Sequence, residues 1–247
     1  MAYNLVMDPV QTSFLVGIGL VPSVFWLLFY LKKDCHPEPS SMIAKTFLMG
    51  IIVSPIAVIL QLLYIKLNPT GALYPDATGH FFLWAAAVEE TIKFYAVKLT
   101  VFRNPEFDEP VDAMVYMITA GLGFAAIENI LVMFRTIPDG ATAAFGVWTL
   151  RFFGAILLHA LSSAILGYFL AISWFFQHHR KKLIFIGLAM ATLFHFAFNS
   201  FLSSYDNQFI GLVYSTTLLV TMAFLVAILF DKIKERHESH TRETASL

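Results

Sequence analysis

Glu89 and Glu90 stand side by side in HFFLWAAAVEETIKFYAVKL, a stretch that otherwise reads as a lipid-embedded helix. A charged carboxylate at the centre of a bilayer helix costs about 2.5–3.5 kcal/mol on insertion scales, so an adjacent pair points to chemistry rather than packing. Glu128, His159 and His195 lie in further apolar stretches along the chain. Carboxylates and imidazoles are the side chains of general acid–base catalysis, and they are also ligands for a divalent ion. The expected site therefore comprises Glu89, Glu90, Glu128, His159 and His195. Lys93 follows Glu89 by four and Glu90 by three, so it shares their helix face and can pair with one of them. Asn129, next to Glu128, and Asn199, four residues after His195 on the same helix face, are expected to support the site. Ser163 bears the same relation to His159.

These groups must be positioned by membrane helices. Of 247 residues, 58% are hydrophobic and 13% charged, against roughly 25% charged in soluble domains. The fold class is therefore an all-α polytopic bundle. Seven apolar runs approach the roughly 20 residues a span needs: 9–31, 46–65, 81–102, 111–134, 150–176, 183–202 and 209–230. The first, second and seventh carry no charge, which separates three plain helices from four working ones. Residues 1–230 read as one transmembrane domain with its site-bearing helices over about 81–202, and 231–247 as a polar tail expected to fray. In the segment DEPVDAM, Pro110 and its neighbouring acids mark the start of the fourth helix.

Lys and Arg fall unevenly on alternate loops. Twelve (Lys32, Lys33, Lys45, Lys98, Arg103, Arg180, Lys181, Lys182, Lys232, Lys234, Arg236, Arg242) lie on one side and three (Lys66, Arg135, Arg151) on the other. The positive-inside rule then places the amino terminus outside and the carboxyl terminus in the cytoplasm. In that frame Glu89 and Glu90 lie eight and nine residues below the outer ends of their helix, Glu128 six, His159 nine and His195 seven. At about 1.5 Å per residue all five fall roughly 9–14 Å from the outer face. Chance would scatter them in depth.

Each group alone has a plainer reading. An intramembrane His often makes an interhelical hydrogen bond, and a lone Glu can be an ion-pair partner. Five groups converging from four helices are better explained by a site. The small residues Gly121, Gly123, Ala125 and Ala126 suit the close helix approach that such a site requires. Arg151 is expected to snorkel to the outer interface, with the holding of a carboxylate as the alternative. Cys35, the only cysteine, reads as a loop residue and excludes an internal disulfide. The residues before the first run contain no Lys or Arg, so no cleavable signal is expected. A net charge of −1 gives no reason to expect nucleic acid as a partner.

Two His and two or three Glu suit one divalent ion, zinc foremost, with a position open for water; the candidate ligands are Glu90, Glu128, His159 and His195. They equally suit a metal-free route in which Glu activates water and His stabilises an oxyanion. Either route hydrolyses an amide in or beside the membrane. HExxH and GxSxG are both absent. A proton- or ion-coupled transporter would also need Glu and His at mid-depth, but the chain has no inverted repeat. A non-catalytic scaffold would not need every acid and His.

The motifs EETIK (Glu89–Lys93), DEPVDAMVY with AGLGFAAIEN (Ala120–Asn129), Arg151 with LHALSSAILG (Leu158–Gly167), and HFAFN (His195–Asn199) stand in this order. Together they resemble the PrsW-type intramembrane proteases, relatives of the CAAX prenyl endopeptidases and bacteriocin-processing immunity proteins. The likeness covers about half the chain, with Ala113 where the pattern would have Gly. It implies a metalloprotease of a prokaryotic cell membrane that cleaves a membrane-anchored protein, such as an anti-sigma factor, on its extracytoplasmic side. It also implies Glu89 and Glu90 as core acids, His159 and His195 as partners and Glu128 as a further acid.

Overall fold

The protein is described by a computed structural model over residues 8–33, 36–68, 79–203 and 207–245. Cys35 lies outside these described residues. The described chain is helical: α1 (Pro9–Leu31), α2 (Ser40–Leu67), α3 (Gly79–Thr100), α4 (Asp112–Thr136), α5 (Ala141–Phe153), α6 (Ala155–Phe175), α7 (Arg180–Ser203) and α8 (Gln208–Ala245), with no strand among the described residues. Seven of these are the expected long helices. Six stretches are apolar and long enough to cross a membrane by composition alone. α3 is the seventh long helix: its 22 residues suffice in length, but Glu89, Glu90, Lys93 and Lys98 remove it from that count.

α4 is the axis of the bundle. Every residue from Asp112 to Ala126 is buried, and the helix packs against α1, α2, α3, α5 and α6. With α6 it forms an inner pair, whose most apolar windows are 67% and 72% buried, against 22–28% for α1, α2, α7 and α8. The outer helices turn Phe14, Phe25, Ile52, Ile59, Val220 and Phe224 outward, as lipid contact requires. In lipid the hydrophobic effect does not hold helices together, so close backbone approach must. A Cβ at Gly50 would stand 2.2 Å from the Ala120 carbonyl oxygen, and one at Gly123 would stand 2.1 Å from that of Phe47. These two glycines let α2 and α4 touch along their backbones. Gly121 does the same for α6, where a Cβ would meet Ser163 Oγ at 2.3 Å.

Three expectations are corrected. The fifth run, read as continuous over 150–176, breaks at Gly154 (φ −105°, ψ −96°), which separates α5 from α6. Hydropathy stays high across the break, so only the backbone reveals it. From residue 231 to 245 the tail does not fray; it continues α8. Ile233 there is buried, and Arg236 stacks on Phe175 and Phe176 at 5.2 and 4.7 Å. Lys234 donates to the Lys33 carbonyl, so the polar turns have partners that a sequence reading does not supply. The fourth helix starts at Asp112 rather than Pro110: Asp112 Oδ2 accepts the N–H groups of Asp108 and Glu109 at 3.1 and 2.7 Å.

Gly50→Ala and Gly123→Ala should each lower the unfolding midpoint in mild detergent, at a cost of about 1–3 kcal/mol from overpacking. Gly146→Ala, where a Cβ meets nothing within 4 Å, should leave the midpoint unchanged or raise it.

Candidate active site

The groups predicted from four helices meet. Glu90, on α3, is the hub. Its Oε1 accepts from Lys93 Nζ at 2.7 Å, Ser162 Oγ at 3.0 Å and His195 Nδ1 at 2.8 Å. Lys93 Nζ turns next to His159 Nδ1 at 2.7 Å, and His159 Nε2 lies 2.9 Å from Glu128 Oε2. The two imidazole rings are 5.1 Å apart and nearly perpendicular. Glu90 and Lys93 are completely shielded from solvent, and Glu89, His159 and His195 are buried.

The partners fix which nitrogen of each imidazole carries the proton. An ammonium can only donate, so the His159 Nδ1 facing Lys93 accepts, and its Nε2–H donates to Glu128. A carboxylate can only accept, so His195 Nδ1–H donates to Glu90, and in the neutral imidazole Nε2 is left with a lone pair. That lone pair faces Glu89 Oε2 across 3.6 Å, and this oxygen is buried without a hydrogen-bond partner. Two acceptors facing each other across a small gap call for a proton, a donor water or a cation between them.

One ligand atom each from Glu89, His159 and His195 lie within 4.8 Å of one another. A carboxylate and two imidazoles form a donor set suited to zinc, and the orphaned Glu89 oxygen opposite a free imidazole lone pair fits a cation. Of the four ligands expected from sequence, His159 and His195 belong to this group. Glu90 is turned to Lys93, Ser162 and His195, and Glu128 to His159 and Arg151.

The supporting residues divide differently from expectation. Asn129 acts on Glu128 through Arg151: it accepts from Arg151 Nε at 3.0 Å and donates to the Gly19 carbonyl of α1 at 2.9 Å. Arg151 does not snorkel away. From α5 it reaches Glu128 Oε2 at 3.5 Å. Ser162, not Ser163, hydrogen-bonds the hub, and Ser163 Oγ is buried without a partner. Gln61 of α2, a helix read as plain, donates to Glu89 Oε1 at 2.8 Å. An amide in an otherwise apolar run was the available signal for it. Asn199 lines a cavity of about 240 Å³ together with Gln61, Phe82, Glu89 and Leu202.

Comparison with known proteins identifies a family. A family model described as "PrsW family intramembrane metalloprotease" matches residues 38–229. A relative named Protease PrsW from Geobacillus kaustophilus is 31% identical over 73% of this chain and 76% of its own length. Proteins of the same name from Oceanobacillus iheyensis and Bacillus subtilis are each 28% identical, over 91% and 78% of this chain and 97% and 84% of their own. No solved structure matches the chain.

Ser162→Ala should cost about 1–3 kcal/mol in unfolding experiments in detergent, because a buried carboxylate loses a donor. Ser163→Ala should stay within about 0.5 kcal/mol, since the lost hydroxyl had no partner. Equal effects at the two positions would contradict the Glu90 contact.

Proposed function

Because this chain belongs to the PrsW family of intramembrane metalloproteases, we propose that Glu89 activates the water that attacks the scissile carbonyl. The protein is an intramembrane protease, integral to a prokaryotic cell membrane. The observation that carries the assignment of Glu89 is its place on the cavity, with an oxygen that faces His195 Nε2; Glu90 Oε2 also lacks a partner, but Glu90 does not line that cavity.

In this reading Glu89 takes a proton from water as the oxygen–carbon bond forms. It then gives that proton to the departing amine as the carbon–nitrogen bond breaks. Glu90 orients His195, and Lys93 and Ser162 hold Glu90 in place. Lys93 and Glu128 orient His159 from its two sides, and Arg151 steadies Glu128. Asn199 offers an amide N–H towards the carbonyl oxygen in the cavity. Glu89 and His195 Nε2 would present free lone pairs to a divalent ion, zinc by their chemistry, and His159 would join them by releasing its Lys93 contact at Nδ1 or its proton at Nε2. Such an ion, when bound, supplies Lewis acidity and a more acidic water. The family description as a metalloprotease supports that set, and the metal-free glutamate route is the alternative.

The substrate in this proposal is a membrane-anchored protein, anti-sigma-factor-like, with lipid around it. The bias of Lys and Arg across alternate loops supports an outward-facing site, with the carboxyl terminus in the cytoplasm. No observation favours the transporter alternative.

Glu89→Gln should lower cleavage of a co-reconstituted single-span protein by about 10²–10⁴-fold while leaving membrane insertion intact. A rate equal to wild type would end the assignment. A strong chelator should abolish cleavage, and added zinc should restore it; full activity in chelator, with metal analysis confirming an empty protein, would select the metal-free route.

A further inference from the structure

Gln61 belongs to none of the motifs that suggested the site, yet it touches the proposed base. It projects from α2, whose run from Ile51 to Ile65 otherwise contains the polar side chains Ser54 and Tyr64. Ser54 satisfies itself on the Ile51 carbonyl of its own helix at 3.1 Å. Gln61 instead crosses to α3 and donates Nε2–H to Glu89 Oε1 at 2.8 Å. A side-chain amide at membrane depth is costly unless its hydrogen bonds are made, and here the donor is used on a carboxylate from another helix.

The contact resolves an ambiguity built into α3. Lys93 stands three residues after Glu90 and four after Glu89, so either carboxylate is within its helical reach. Its Nζ is bonded to Glu90 Oε1 at 2.7 Å and to His159 Nδ1 at 2.7 Å. Gln61 approaches Glu89 from α2 and anchors one of its oxygens there. The second oxygen is thereby turned to His195 Nε2, 3.6 Å away, with no hydrogen-bond partner. A neutral amide satisfies one oxygen without cancelling the carboxylate charge, which a second lysine would do. Gln61 also lines the cavity that reaches Glu89, so the same side chain stands where substrate and water would enter.

We infer that Gln61 is a positioning residue of the hydrolysis: its bond to Glu89 Oε1 aims the other carboxylate oxygen at the reacting water. The inference rests on the assignment of Glu89 as base. It adds α2 to the helices that make the site, and it assigns the amide a role in turnover rather than in binding.

The test uses the full chain in proteoliposomes with a fluorogenic single-span reporter that the wild-type protein cleaves. Gln61→Met keeps the volume and helix preference and removes the donor. It should lower kcat by about 10–100-fold, the usual effect of losing a group that orients a reacting one, with KM within about twofold and the detergent unfolding midpoint retained. Gln61→Ala should show the same split, and it supplies the measurement if the Met variant folds poorly. Wild-type kcat in both variants would overturn the inference, and so would a rise in KM alone, which would make Gln61 a substrate contact. Glu89→Gln, assayed in parallel, separates the two failures. An active Glu89→Gln sinks the base assignment and this inference with it; an inactive Glu89→Gln beside a fully active Gln61→Met sinks only the role of Gln61.

Discussion

A carboxylate and an ammonium, both sealed from solvent, hold the centre of this bundle together. Glu90 and Lys93 are bonded at 2.7 Å with neither side chain exposed. Desolvating two such charges costs several kcal/mol each, and the Coulombic return covers this only when the remaining hydrogen-bonding capacity is used. Here it is used across helices at one carboxylate oxygen: Glu90 Oε1 takes Ser162 from α6 and His195 from α7, and Lys93 takes His159 from α6, while Glu90 Oε2 is buried without a partner. The ring of Phe124 on α4 lies 5.1 Å from the same ammonium. An ion pair set three residues apart on one helix thus becomes the junction of four.

That junction is possible only because the inner helices approach closely. The small residues of α4 let α2 and α6 come to backbone distance, and this draws the side chains of α3, α6 and α7 into contact over α4. Packing and chemistry are therefore one constraint. Widening the α2–α4 contact would withdraw Gln61 from Glu89, and widening the α4–α6 contact would withdraw His159 from Glu128 and Lys93.

Much of this was legible in the sequence because membrane insertion penalises polar groups so strongly. Glu89, Glu90, Glu128, His159 and His195 could be singled out by type and brought to one depth by counting along each helix, and the structure joins them. Seven apolar runs became seven long helices for the same reason. What could not be read depended on direction rather than depth. Ser162 and Ser163 differ by one residue and about 100° around α6, and sequence spacing favoured the wrong one. Hydropathy runs unbroken across Gly154 and so sets Arg151 at a helix end; the helix breaks at Gly154, and α5 delivers the guanidinium to Glu128. Gln61 carries no charge, so only its contrast with apolar neighbours marks it. The polarity of the α8 tail carries no information about Phe175 and Phe176 at the end of α6, on which Arg236 stacks.

The two histidines show how one ion pair can create asymmetry. Their rings lie side by side, yet each presents Nδ1 to the opposite member of the same pair: His159 to the ammonium of Lys93, His195 to the carboxylate of Glu90. Opposite partners impose opposite tautomers. His159 therefore has its proton on Nε2, directed at Glu128, while neutral His195 has its lone pair on Nε2, directed at Glu89. A hydrolytic site needs such a division, because one side must hold negative charge in place while the other keeps an acceptor available to the reacting proton or to a cation. Exchanging Lys93 for a neutral residue would remove the donor that fixes His159. It would also leave Glu90 with two donors in place of three, so both imidazoles would lose their assigned orientation at once. The lysine of the EETIK motif is thus the charge from which the geometry of the two imidazoles follows.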